Sequence, residues 1–187
     1  MTSTKRIAMA AFAVLLIAVA GCGGSGESSG DAAREVAETE RRTEATFERY
    51  IAPDAALRRV DGDTVQLSEY RGKFTLLAFF ATWNKDTAEL LPIMSDIGRR
   101  FHKNVNVVCV ALDKGGMAPV RGWVDRNPVD IPIFVGDDAL ANRFGGYRTL
   151  PTVYVLMRDG EVFSRFDGLK EQRQYEEILI KLISHRL

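Results

Sequence analysis

Residues 74–87 read Phe74-Thr75-Leu76-Leu77-Ala78-Phe79-Phe80-Ala81-Thr82-Trp83-Asn84-Lys85-Asp86-Thr87. The stretch 74–82 carries no charge, and its only polar side chains are two threonine hydroxyls. A short, near-continuous apolar run of this kind predicts a strand covered on both faces. A polar break follows at 84–87. Beyond it Leu90, Ile93, Met94, Ile97 and Phe101 recur at the spacing of one helix face. Buried strand, tight polar turn and amphipathic helix together open a unit whose next strand runs parallel to the first.

Outward from this unit the same patterns alternate. Residues 105–112 form a second buried strand, and 117–126 a helix with Pro119 in its first turn. Residues 131–135 predict a short strand and 139–144 a short helix. The stretches 152–157 and 161–166 flank Arg158-Asp159-Gly160, and 55–60 and 64–67 flank Asp61-Gly62-Asp63; both patterns are hairpin signals. Tyr175, Ile178, Leu179, Leu182 and Ile183 mark a closing amphipathic helix. Strands joined through helices pair in parallel and those joined by tight turns pair antiparallel. The expected fold class is therefore α/β: one central mixed sheet flanked by helices on both faces, with an added N-terminal β-hairpin.

Several residues in this frame match a known pattern. Ala81-Thr82-Trp83, directly after the buried strand, resembles the entry to the active site of the thioredoxin superfamily, above all the TlpA/ResA type of thiol–disulfide oxidoreductase and its redoxin relatives. In that family Cys-x-x-Cys follows, with a proline five residues after the second cysteine; here Pro92 stands five residues after Thr87, with no gap. Leu150-Pro151-Thr152 resembles the family's cis-proline loop, Asp159-Gly160 its hairpin and Gly168 the glycine before its last helix. Leu67-Ser68-Glu69-Tyr70 with Gly72 is similar to its entry segment. The resemblance runs from residue 53 to the C-terminus and implies a thioredoxin-like domain over 53–187. It also implies a groove for an extended polypeptide at Trp83, Asn84, Lys85, Leu150 and Pro151, where backbone pairing at an exposed edge supplies affinity.

The departure is chemical. Asn84 and Thr87 occupy the two cysteine positions. Disulfide exchange needs a thiolate that attacks sulfur. An amide is no nucleophile there, and a threonine hydroxyl without a partnered base is a weak one. No catalytic residue is therefore expected at the degenerate positions Asn84 and Thr87. Asn84 reads instead as an N-cap for the following helix, with Asp86 in its first turn complementing the dipole. Cys109, inside Val105-Asn106-Val107-Val108-Cys109-Val110-Ala111-Leu112, reads as a small buried hydrophobe.

At the N-terminus Lys5 and Arg6 precede an uncharged run over 7–20, about 14 residues and short of the ~20 that span a bilayer. Small residues then lead to Cys22. This predicts an export signal over 1–21, and Val19-Ala20-Gly21-Cys22 resembles a lipobox, implying that the Cys22 sulfur carries lipid and anchors the mature chain. Residues 23–30 are Gly/Ser-rich linker. Residues 31–50 interleave Glu and Arg and form either a solvated charged helix, about 30 Å long at 1.5 Å per residue, or a spacer. The whole segment 22–52 is read as lipidated cysteine, linker and tether. If Cys22 is acylated, only Cys109 keeps a thiol and no internal disulfide can form.

Lysines plus arginines number 25 and acids 25, and loss of Lys5 and Arg6 leaves the mature chain slightly acidic. No basic run is present, so nucleic acid is not an expected partner. His102 and His185 are isolated, so no metal is expected, and no cofactor either. Lys85, Arg143 and Arg148 flank the predicted groove or stand as ordinary solvated charges. Trp83 reads as a platform beside the groove or as a packing residue, and Trp123 as packing. The expected partners are a membrane, through Cys22, and a polypeptide of the cell envelope. Three functions follow: a non-catalytic polypeptide-binding or assembly module on the periplasmic or extracytoplasmic side, a thiol–disulfide oxidoreductase acting through Cys109 or a partner's cysteines, or a structural envelope lipoprotein.

Overall fold

A computed structural model describes residues 50–184. The predicted signal, the Cys22 anchor, the linker, most of the charged tether and His185 lie outside the described residues.

The elements run β1 (Ala56–Arg59), β2 (Thr64–Gln66), a 3-10 turn (Leu67–Tyr70), β3 (Phe74–Phe80), α1 (Thr87–Arg100), β4 (Val105–Ala111), α2 (Met117–Arg126), β5 (Ile133–Val135), α3 (Asp138–Arg143), β6 (Thr152–Leu156), β7 (Val162–Asp167) and α4 (Gln172–Ser184). One seven-stranded sheet has the order β2-β1-β5-β4-β3-β6-β7. β3 and β4 pair in parallel, as do β4 and β5. The hairpin β1–β2 and the β6–β7 hairpin complete it antiparallel, through β1 against β5 and β6 against β3. The mixed sheet read from the pattern is thus the one observed, and the N-terminal hairpin extends that sheet rather than standing apart from it.

β3 is buried along its whole length. Leu76, Ala78 and Phe80 face a core with Leu90, Leu91, Met94, Cys109, Tyr175 and Leu179, beneath α1 and α4. Leu77, Phe79 and Ala81 face a second core with Val108, Phe134, Phe144, Tyr154 and Leu57. Alternating side chains thus feed two layers, each large apolar side chain contributing roughly 1.5–3 kcal/mol when fully buried. Trp123 packs partly buried against the first core.

Most element ends fall within a residue or two of the sequence reading, and two of the differences have plain local reasons. The strand expected over 131–135 starts at Ile133, because Pro132 has no N–H to give the ladder. Leu67 leaves β2 for the 3-10 turn, where Glu69 Oε1 accepts the Gln66 N–H at 2.7 Å. Upstream, Tyr50 and Ala52 pair with the β6–β7 turn: the Ala52 N–H donates to the Gly160 carbonyl and the Val162 N–H to the Tyr50 carbonyl, both at 2.9 Å. Gly160 holds a left-handed φ of 92°, which the tight turn requires.

Candidate functional site

Strand register brings three loops to one end of the sheet. Phe79 pairs with Thr152, and Phe80 with Ala111. The segment 81–86 after β3, the segment 112–116 after β4 and the segment 145–151 before β6 therefore meet there. The sequence-predicted groove residues Trp83, Asn84, Lys85, Leu150 and Pro151 all lie on two of these loops.

Asn84 joins them. Its Nδ2 donates to the Leu150 carbonyl at 2.8 Å, and its Oδ1 accepts the Asp86 N–H at 2.8 Å. Its backbone N–H donates to Ala81 at 3.0 Å, and its carbonyl accepts the Thr87 N–H at 3.1 Å. The helix-capping role expected for Asn84 is corrected by this arrangement. Helix α1 begins at Thr87, the cap position falls on Asp86, and Asp86 makes no side-chain capping bond. The reason is local: residues 81–87 already turn twice through their own backbone bonds, so the helix starts two residues later than an Asn84 cap would place it. Asn84 serves an Asx-type turn and a bridge to the opposite loop.

Thr87 is 1 % exposed, and its hydroxyl donates to the Ala81 carbonyl at 2.7 Å. Leu150 is buried at 5 % exposure, and the Leu150–Pro151 peptide is cis. The Pro151 carbonyl accepts the Gly168 N–H at 2.8 Å, and the Thr152 hydroxyl donates to Thr149 at 2.7 Å. Trp83 is the exception among these apolar groups, with 71 % of its surface exposed. Lys85 and Arg148 are exposed as well, on the two loops that Asn84 joins. Arg143 instead donates to the Asp54 carbonyl, which ties it to the segment before β1 rather than to the groove.

One residue at this end went unread in the sequence. Asp113, 6 % exposed, accepts the Thr82 N–H at 3.0 Å and the Thr82 hydroxyl at 2.5 Å. Its signal was available: an acid directly behind the apolar run 107–112, before Lys114-Gly115-Gly116. A buried carboxylate must be paired, and here it fixes the start of the loop that carries Trp83.

Cys109 is remote from this surface. It has no exposed area and pairs across the sheet with Ala78 and Ile133. Burial pushes its thiol well above the ordinary range, so little thiolate exists at neutral pH. Among the described residues, no cluster of His, Cys, Asp or Glu is arranged to hold a metal ion.

Comparison with known proteins agrees with the frame. The model of the AhpC/TSA family matches residues 49–165. The thiol-disulfide oxidoreductase ResA of Bacillus cereus (strain ATCC 10987 / NRS 248) is 25 % identical over 132 residues, covering 70 % of this chain and 76 % of ResA. Among solved structures, the pneumococcal exposed lipoprotein thioredoxin Etrx1 of Streptococcus pneumoniae strain TIGR4 superimposes with a TM-score of 0.63 at 27 % identity, covering 70 % of this chain and all of that one (100 %). A thiol:disulfide interchange protein of the thioredoxin family from Chlorobium tepidum TLS gives a TM-score of 0.64 at 21 % identity, over 74 % of this chain and 99 % of the other, a likeness of fold. With the strand order, the cis-proline loop and the Trp83 turn in place, this chain belongs to the AhpC/TSA family and is a ResA-like member of the thioredoxin superfamily.

Proposed function

We propose that this chain is a membrane-anchored, thioredoxin-like module that holds polypeptide segments outside the cytoplasm and passes no electrons itself. One observation carries the reading. The two positions that would hold the reactive cysteines bear Asn84 and Thr87, whose side chains donate to the Leu150 and Ala81 carbonyls, while Cys109 is enclosed in the sheet. Exchange needs a thiolate within reach of a disulfide. Trp83 provides exposed aromatic surface beside the cis-proline loop, suited to an apolar side chain of a bound segment. Anchoring through acylated Cys22 is supported by the lipobox-like Val19-Ala20-Gly21-Cys22 and by the likeness to the pneumococcal neighbour, itself an exposed lipoprotein. Among the described residues no helix is long and apolar enough to cross a membrane.

A second reading is favoured by the relatives' names. ResA proteins are named thiol-disulfide oxidoreductases, and the interchange protein shares the fold. On that reading the chain takes part in exchange through Cys109 or through cysteines supplied by a partner. The two part in one assay: the full chain is given insulin with excess dithiothreitol. The binding reading expects precipitation of insulin chains at the uncatalysed rate. Acceleration lost on Cys109→Ser establishes the enzyme instead. Photo-crosslinking from position 83 in cells then tests for a polypeptide partner; an absence of any adduct, with Cys22 lipidated, leaves the structural role.

A further inference from the structure

We propose that Asn84 sets the specificity of the groove by acting as an internal competitor for the Leu150 carbonyl; this rests on the polypeptide-binding reading above.

Leu150 is the last residue before the cis-proline, and on the binding reading its carbonyl is the backbone acceptor that this loop would offer an extended segment. Both of its lone pairs are already engaged, one by Asn84 and the other, more weakly, by the Thr149 hydroxyl at 3.4 Å. The Asn84 Nδ2 sits 2.8 Å from the carbonyl oxygen, and Leu150 as a whole is only 5 % exposed. The Asn84 carboxamide is itself held in place from its other end, because Oδ1 receives the Asp86 N–H at 2.8 Å. The loop beneath is pinned by Thr87 on Ala81 and by Thr82 on the buried Asp113. Asn84 therefore stands as a fixed amide across the seam, where an incoming backbone N–H would otherwise donate. A polypeptide that offers backbone alone must displace a preorganised bond and gains no net bond by doing so. One that also places an apolar side chain on Trp83, exposed immediately beside Asn84, has an independent source of affinity. The groove thereby discriminates against generic extended chain and selects by side chain.

The experiment uses reduced, carboxymethylated α-lactalbumin as probe, a permanently unfolded chain with no thiol to exchange. Its binding to the full chain in detergent is measured by fluorescence anisotropy for wild type, Asn84→Ser, Asn84→Asp and Trp83→Ala. Serine keeps an oxygen for the Asp86 N–H, but its hydroxyl is one atom too short to reach Leu150 from there; aspartate keeps the shape and turns the donor into an acceptor. Both are expected to bind the probe about tenfold more tightly than wild type, the factor carried by one net hydrogen bond. Agreement of the two variants guards against a fold defect in either. Affinity of both equal to or below wild type, with Trp83→Ala still weakening binding, overturns the competitor role and leaves the binding reading standing. Absence of binding by wild type and by both Asn84 variants overturns the two together.

Discussion

Cys109 lies opposite Ala78 in the parallel ladder between β3 and β4, and neither residue has any exposed surface. The lone thiol of the domain is therefore part of the packed core beneath α1, on the face away from solvent. A particular dependence of stability on pH follows from that placement.

Burial raises the Cys109 pKa, so the folded chain keeps the proton after the unfolded chain has released it. The associated stability is complete below the unfolded pKa, about 8.5, and is lost as pH rises from there toward the folded value. Unfolding free energies from urea titration are expected to fall above about pH 8.5, by up to about 1.4 kcal/mol per pH unit. Cys109→Ala removes this part and leaves the decline due to Tyr154 and Tyr175, both pushed by burial to about 12 and hence acting only above about pH 10. An alanine variant with an unchanged slope between about pH 8.5 and 10 would contradict the assignment.

Asp113 and Thr82 form the polar joint under the Trp83 loop. Asp113→Ala leaves the Thr82 N–H and hydroxyl without their acceptor. A loss of about 1.5–3 kcal/mol is expected, the range of hydrogen bonds to a charged group. In a double-mutant cycle with Thr82→Val, denaturant titration should return a coupling of about 1–2 kcal/mol. Additive losses would show that the two side chains do not act together.

Thr87 tests whether the second altered position is structural. Thr87→Val keeps the shape at a site 1 % exposed and deletes only the donor to Ala81. Loss of about 1 kcal/mol is expected, read as a lower urea midpoint with an unchanged m-value. Higher stability in the valine variant would mean that the hydroxyl contributes nothing there.

The scaffold should still accept the missing chemistry. The Thr87 N–H donates to the Asn84 carbonyl, so residues 84–87 form a turn. Its end Cα atoms then lie within about 7 Å, compatible with the ~4.4–6.8 Å of disulfides. Asn84→Cys with Thr87→Cys is expected to oxidise to an intramolecular disulfide and to accelerate insulin reduction where wild type does not. Mass spectrometry showing two free thiols after oxidation would argue against this geometry.

The amino-acid order alone determined the layers. The unbroken apolar run of β3 announces a strand buried on both faces, the spacing of Leu90, Met94 and Ile97 announces α1, and Asp159-Gly160 announces the β6–β7 turn, because burial and backbone period are written in local pattern. The apolar setting of Cys109 was legible for the same reason, whereas Asn84 and Thr87 stood out only through the resemblance to a family with cysteines at those positions. Only the tertiary structure decided that Asn84 reaches Leu150, 66 positions away, instead of capping α1. It alone placed Asp113 under Thr82, turned Trp83 outward and tied Arg143 to Asp54. A side-chain hydrogen bond acts over about 3 Å and is set by which loops the strand register brings together, and no sequence period encodes that meeting.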